Sequence, residues 1–169
     1  MKRLLLLDGQ DYDENMPEIL RTAVRGIIET DGGIVFVEDK FGVLKLPGGG
    51  QDEGETNEQT LAREVKEETG LTVIPESIRE FGFIEEKRRS IHEEMIWHQL
   101  NYIYFCKVES TREETNYSEN EKRCEMRPVI RTFSEAIDQN QATLEREGRH
   151  AWNQREYKTL MLLKEYFDK

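Results

Sequence analysis

A chain of 169 residues suits one domain with its own hydrophobic core, and fifteen aromatics within a 36% apolar composition exclude a disordered polymer. Acidic residues outnumber basic ones 35 to 24, and the net charge of −11 argues against proteins that hold duplex nucleic acid by displacing counterions, and against attraction to an anionic membrane surface. The acidity is partly concentrated, with five glutamates between Glu55 and Glu68.

In chain order, Leu4 to Leu7 reads as a short strand and Gly9 to Pro17 as a polar loop, so residues 1–20 form an N-terminal extension to a single domain spanning 1–169. Arg21 to Glu29 and Ile34 to Glu38 are rich in Val and Ile, and Asp31-Gly32-Gly33 lies between them. This predicts a β-hairpin or two neighbouring strands. Val43 to Leu46 is a third short strand, ended by a sharp turn at Pro47-Gly48-Gly49-Gly50. Thr56 with Gln59 three residues later forms a capping box, and Gly70 falls where a helix C-terminus should lie, which predicts a helix from Asn57 to Thr69. Leu71 to Ile74, Glu80 to Lys87 and Asn101 to Val108 read as extended, and Glu109 to Arg123 as a charged loop. Val129 to Phe133 is an edge strand with Pro128 at its entrance. Ser134 caps a short helix through Ile137. His150 to Phe167 is a helix with Trp152, Leu160, Leu163 and Phe167 on one apolar face, so Trp152 is read as core. Strands first and helices late imply a mixed sheet flanked by helices, in an α/β or α+β arrangement.

At about 100° per residue, Leu61, Ala62, Val65 and Thr69 form the buried stripe of the 57–69 helix. Glu64, Glu67 and Glu68 stand together beside that stripe. A solvated helix face would place Lys or Arg four residues after a Glu, yet Glu64 is followed at that spacing by Glu68. Like charges there raise one another's pKa unless a cation lies between them, and a hard divalent cation prefers such oxygen ligands. The preceding glycines can expose a carbonyl as a further neutral ligand.

The segment from Gly49 through Glu55, Arg63, Glu64, Glu67, Glu68 and Gly70 to Leu71 fits GX5EX7REUXEEXGU, with U apolar, at every defined position over 23 residues. In this it resembles the Nudix box. The resemblance implies an α/β/α sandwich and a Mg²⁺-dependent pyrophosphohydrolase, Mn²⁺ also serving, that cleaves a nucleoside di- or triphosphate linked to another moiety by attack of water on phosphorus. It places metal ligands on Glu64, Glu67, Glu68 and the Gly48 carbonyl. It makes Glu67, Glu64, Glu68 and Arg63 the catalytic set, and gives Gly49, Glu55 and Gly70 structural roles in the box. A further loop glutamate is expected to join the site, and Glu119 or Glu121 are the candidates because they lie shortly before the Val129 strand. Glu67, or a glutamate outside the box, is the expected proton acceptor.

Substrate contacts are less legible. Arg88 and Arg89, with Lys87, make a basic cluster, and Tyr102 and Tyr104 share one strand face, opposite Ile103 and Phe105. Arg88, Arg89, Tyr102 and Tyr104 are therefore the candidates, and Trp97 could stack a base. His92 to His98 is one substitution short of HExxH, so zinc catalysis is set aside, as are a P-loop and a nucleophile elbow. Two cysteines without a CxxC pair and no long apolar run fit a cytoplasmic protein with no membrane partner. The resemblance implies a small nucleotide substrate and allows a homodimer, which the segment through Leu20 could mediate. Two other readings compete: a nucleotide-sensing module on the same fold that binds without turnover, and a pyrophosphohydrolase acting on the 5′ end of RNA.

Overall fold

The computed structural model describes residues 1–148 and 150–168. Its main sheet contains β1 (Arg3–Asp8), β2 (Glu18–Ile27), β6 (Gly48–Gly50), β8 (Arg79–Arg89) and β9 (Ile96–Phe105) in the order β1-β8-β9-β2-β6. β1 runs parallel to β8 and β2 parallel to β9, while β8–β9 and β2–β6 are antiparallel. A second, antiparallel sheet holds β3 (Glu29–Thr30), β4 (Gly33–Glu38), β5 (Leu44–Lys45) and β11 (Arg127–Arg131). β7 (Leu71–Val73) pairs with β10 (Val108–Arg112). The helices are α1 (Asn57–Thr69), α2 (Glu119–Arg123), α3 (Phe133–Glu147) and α4 (Ala151–Phe167).

Two cores put helices on both sides of the sheets. Leu61 and Val65 of α1 meet Val24, Ile28, Val35, Val73, Tyr104 and Cys106. Each of these two helix side chains is fully buried, worth about 1.5–3 kcal/mol. Gly26 admits α1 closely, since a Cβ there would stand 3.2 Å from Leu61 Cδ1. On the other side, Ile27, Phe36, Ile84 and Ile103 pack with Ala136 and Ile137 of α3 and with Leu160 and Leu163 of α4. The result is the mixed α/β sandwich that the box implied.

α1 forms as its signals predict. Thr56 and Gln59 make both bonds of the capping box, and Gly70 is left-handed at φ 72°. Several other expectations are corrected. Of the β-hairpin or two neighbouring strands predicted around Asp31-Gly32-Gly33, the hairpin forms but is limited to β3–β4, because β2 belongs to the main sheet, where it pairs with β9 and β6, and the chain leaves that sheet at Ile28. Gly48 to Gly50 form a strand rather than a turn. β9 begins at Ile96, earlier than Asn101, and the 109–123 loop contains the end of β10 and all of α2. α3 is capped by Thr132 and runs to Glu147, because Glu135 completes a box with Thr132, whereas Ser134 has Ile137 three residues on. Trp152 is 37% exposed and stacks on His150 instead of joining the core.

Candidate active site

The carboxyl half of α1, the glycine strand β6 and the 116–121 segment enclose a cleft of about 790 Å³. Its floor comes from alternate residues on adjacent strands: Arg21, Ala23 and Arg25 of β2, Trp97 and Gln99 of β9, and Arg88 of β8.

Oxygen atoms of Glu64, Glu68 and Glu121 lie within 4.8 Å of one another. Glu68 is 1% exposed. Its Oε2 accepts the Gly48 amide at 2.7 Å, while Oε1 is buried with no hydrogen bond, although Lys45 Nζ is 3.3 Å away. That lysine is close enough for an ion pair but is not aligned to donate. Burial raises the Glu64 carboxyl above its ordinary value and Glu68 adds to the shift, against the opposing pull of Arg63.

Glycine is required at two positions of β6. Gly48 has φ +136°, and a Cβ there would stand 2.0 Å from the Val24 carbonyl oxygen. A Cβ at Gly49 would stand 2.4 Å from Glu64 Oε2. The Gly48 carbonyl accepts a hydrogen bond from Arg25, which leaves one oxygen lone pair.

Arg63 organises the box. Its Nε and Nη2 donate to the two oxygens of Glu55 at 2.7 and 2.9 Å, its Nη1 to Glu64 at 2.8 Å and to Glu67 at 3.2 Å, and its Nη2 also to the Gly50 carbonyl at 3.0 Å. Glu55 further accepts from the Asp52 amide and the Thr60 hydroxyl. These donors, Arg63 first, hold the Glu55 carboxyl down to about 2. Arg63 is thus bound on several sides and fixes the loop before α1 to two glutamates within it. Glu67 lines the cleft beside the carboxylate trio, half-buried, with Arg63 as its partner.

The other candidates divide. Glu121 faces the trio, whereas Glu119 is exposed and pairs with Lys122. Two residues along a helix turn about 200°, so these two glutamates point to opposite sides of α2. Arg88 lines the cleft; Arg89 does not, and pairs with exposed Glu94. Tyr102 and Tyr104 both pack on the α1 side of the sheet, where the Tyr104 hydroxyl accepts from Asn57 at 2.9 Å. Neither lines the cleft, and the opposite pair, Ile103 and Phe105, packs against the α3 and α4 side. Trp97 does line the cleft, with the guanidiniums of Arg21 and Arg88 over its ring at 5.5 and 5.6 Å.

Arg21, Arg25, Lys45, Arg155 and Tyr117 were not singled out from the sequence. The alternation Arg21-Thr22-Ala23-Val24-Arg25 carried a signal, since it sets two arginines on one strand face. Arg155 comes from α4. It is held between Glu86 at 2.7 Å and Glu156 at 2.9 Å, and Glu86 also accepts from Arg88 at 3.0 Å. Among the described residues, six cations and five carboxylates line the cleft of this acidic protein.

The NUDIX domain family model matches residues 19–151. The chain belongs to the Nudix hydrolase family. Over 53 residues it is 49% identical to an ADP-ribose pyrophosphatase of Methanocaldococcus jannaschii, a stretch covering 29% of this chain and 31% of that protein. The chain thus spans about a third of that relative's length in the match. Over 131 residues it is 29% identical to the nucleoside triphosphatase NudI of Enterobacter sp. strain 638, covering 73% of this chain and 91% of that one. A solved NUDIX hydrolase from Nitrosomonas europaea shares the fold, with a TM-score of 0.61 at 19% identity over 89% of this chain and 90% of that chain. Among the described residues of this Nudix protein, no helix is long and apolar enough to cross a membrane.

Proposed function

We propose that this Nudix protein is a Mg²⁺- or Mn²⁺-dependent pyrophosphohydrolase that cleaves a nucleoside di- or triphosphate linked to another moiety. One observation carries the reading: three carboxylates meet within 4.8 Å, and Oε1 of one of them, Glu68, is buried without a hydrogen bond. Lys45 beside Glu68 and Arg63 beside Glu64, the latter shared with Glu55 and Glu67, offset only part of this charge, and the remaining oxygen donors suit a hard divalent cation. Glu64, Glu68 and Glu121 would hold it, with the free lone pair of the Gly48 carbonyl and Glu67 available as further ligands.

Bound there, the cation supplies neutralisation of the diphosphate charge and a lowered pKa for the attacking water. The chain's own groups do the rest. Glu67 takes the proton of the attacking water through the oxygen that Arg63 leaves free. Arg63 keeps Glu64 and Glu67 in register with the loop. Arg21, Arg25 and Arg88 offer guanidiniums to phosphate oxygens, and Trp97 offers an aromatic surface beside them. Retention of every box glutamate favours turnover over a sensing module.

The names of the two curated relatives point to different substrates, so the test is a panel: nucleoside triphosphates, ADP-ribose, nucleotide sugars and dinucleoside polyphosphates, each with Mg²⁺ or Mn²⁺, products identified by mass. Metal-dependent release of a mononucleotide product from at least one class is expected. Binding without turnover across the panel would overturn the enzyme reading.

A further inference from the structure

We propose that Tyr117 is a positioning residue that holds the Glu121 carboxylate at the metal site by fastening its segment to the carboxyl end of α1. The inference rests on the reading of Glu64, Glu68 and Glu121 as metal ligands.

The last carbonyls of a helix have no partner within it. At the end of α1 almost all of them are met by one stretch of chain from a different part of the sequence. The Asn116 amide donates to the Glu67 carbonyl at 2.8 Å, the Tyr117 hydroxyl to the Glu68 carbonyl at 2.6 Å, and Arg112 Nε to the Thr69 carbonyl at 2.9 Å. The Glu113 amide then donates to the Gly70 carbonyl at 2.8 Å. Glycine at position 70 permits this approach, since a Cβ there would stand 2.1 Å from the Glu113 carbonyl oxygen.

Tyr117 is the tie of this set that stands closest in sequence to Glu121. It binds the main chain of Glu68, whose side chain belongs to the carboxylate trio. One hydroxyl therefore links the backbone of one ligand to the segment that carries another. Ser118 follows, and its amide donates to Glu121 Oε2 at 2.7 Å, which sets the direction of that side chain. Such a tie has work to oppose: three carboxylates within 4.8 Å repel, and Glu121, on a five-residue helix, is the one not anchored in α1.

The test compares Tyr117→Phe, Glu121→Gln and the double variant in the full chain. Mn²⁺ affinity is measured by calorimetry, and turnover is followed against both metal and substrate. Tyr117→Phe is expected to weaken Mn²⁺ about tenfold, the usual scale for a residue behind a ligand, with KM for the nucleotide unchanged and kcat restored by excess Mn²⁺. Because Tyr117 acts through Glu121, the double variant is expected to bind Mn²⁺ no more weakly than Glu121→Gln alone. Multiplied penalties in the double variant, or wild-type Mn²⁺ affinity in Tyr117→Phe, would overturn the proposal. Should Tyr117→Phe fail to fold, Arg112→Ala removes the neighbouring tie and is expected to shift Mn²⁺ affinity in the same direction; no shift would count against the proposal. If Glu121→Gln behaves as wild type while Glu64→Gln and Glu68→Gln lose Mn²⁺, the proposal falls and the metal site on α1 stands. If all three keep Mn²⁺ affinity, the metal-site reading itself falls.

Discussion

Adding one methyl group at Gly49 would place a Cβ 2.4 Å from Glu64 Oε2, 2.5 Å from its Cδ and 2.6 Å from Oε1. The main chain at Gly49 is outside the left-handed region, so alanine fits the backbone, and the obstacle is the far end of a side chain. Relief requires the carboxylate to retreat by about 1 Å, a misplacement that can cost on the order of 100-fold in kcat. The fold loses little. Glu64 gives up its 2.8 Å bond to Arg63, which keeps both oxygens of Glu55. A net loss of about 1 kcal/mol corresponds to a Tm lower by about 2–4 °C for a domain of this size. Gly49→Ala should therefore melt nearly as the parent does, yet turn over about 100-fold more slowly and bind Mn²⁺ more weakly. Gly48→Ala is the contrast. It meets backbone, the Val24 carbonyl oxygen at 2.0 Å with φ +136°, and should cost about 3 kcal/mol or more. Thermal melts, Mn²⁺ calorimetry and steady-state rates on both variants decide the matter. A folded Gly49→Ala protein with parental turnover and metal affinity would refute the placement of Glu64 in the metal site.

Glu67→Gln keeps the fold and removes the proposed proton acceptor, so kcat should fall by about 10²–10⁴ with Mn²⁺ affinity changed far less. Arg21 lines the cleft with no carboxylate partner among the described residues, and Arg21→Ala should raise KM about 10- to 100-fold through a lost charge-assisted hydrogen bond, with kcat largely kept. The Glu55 carboxyl is lowered from 4.5 to about 2, first by Arg63. A depressed acid contributes its stability above the unfolded value and loses it as pH falls through the folded one. Acid unfolding followed by circular dichroism should accordingly steepen between pH 4.5 and about 2, and Glu55→Gln should flatten that part of the curve. An unchanged slope would mean that the Arg63–Glu55 pair does not survive in solution.

The catalytic helix was legible because its signals are local. Thr56, Gln59 and Gly70 bracket it, and the spacing of Leu61 and Val65 against Glu64 and Glu68 sets its buried side. Other features depended on pairings between distant segments. Arg21 and Trp97 share a face only through the parallel β2–β9 register, which aligns Arg21 with Gln99 two residues from Trp97. Glu119 and Glu121 were equivalent while their segment read as a loop, and became distinct once it formed a helix. The face of Tyr102 and Tyr104 was settled by where α1 docks, a tertiary fact with no local trace. Ser134 misled because a capping residue is recognised by its partner as much as by itself, and the glutamate that completes the box belongs to Thr132.

The Arg155 junction bears on the order in which the molecule can be assembled. Glu86 and Glu156 are buried, and both rely on this one guanidinium of α4, helped at Glu86 by Arg88. A nascent chain that has already emerged through Glu121 holds every carboxylate of the trio, but its cleft floor still lacks Arg155. Until α4 docks, Glu86 has Arg88 alone, and burying a charge short of its partner is strongly unfavourable. The substrate cleft is therefore complete only once α4, made after the box and after Glu121, has docked, so synthesis of the box and competence of the cleft are separate events in time.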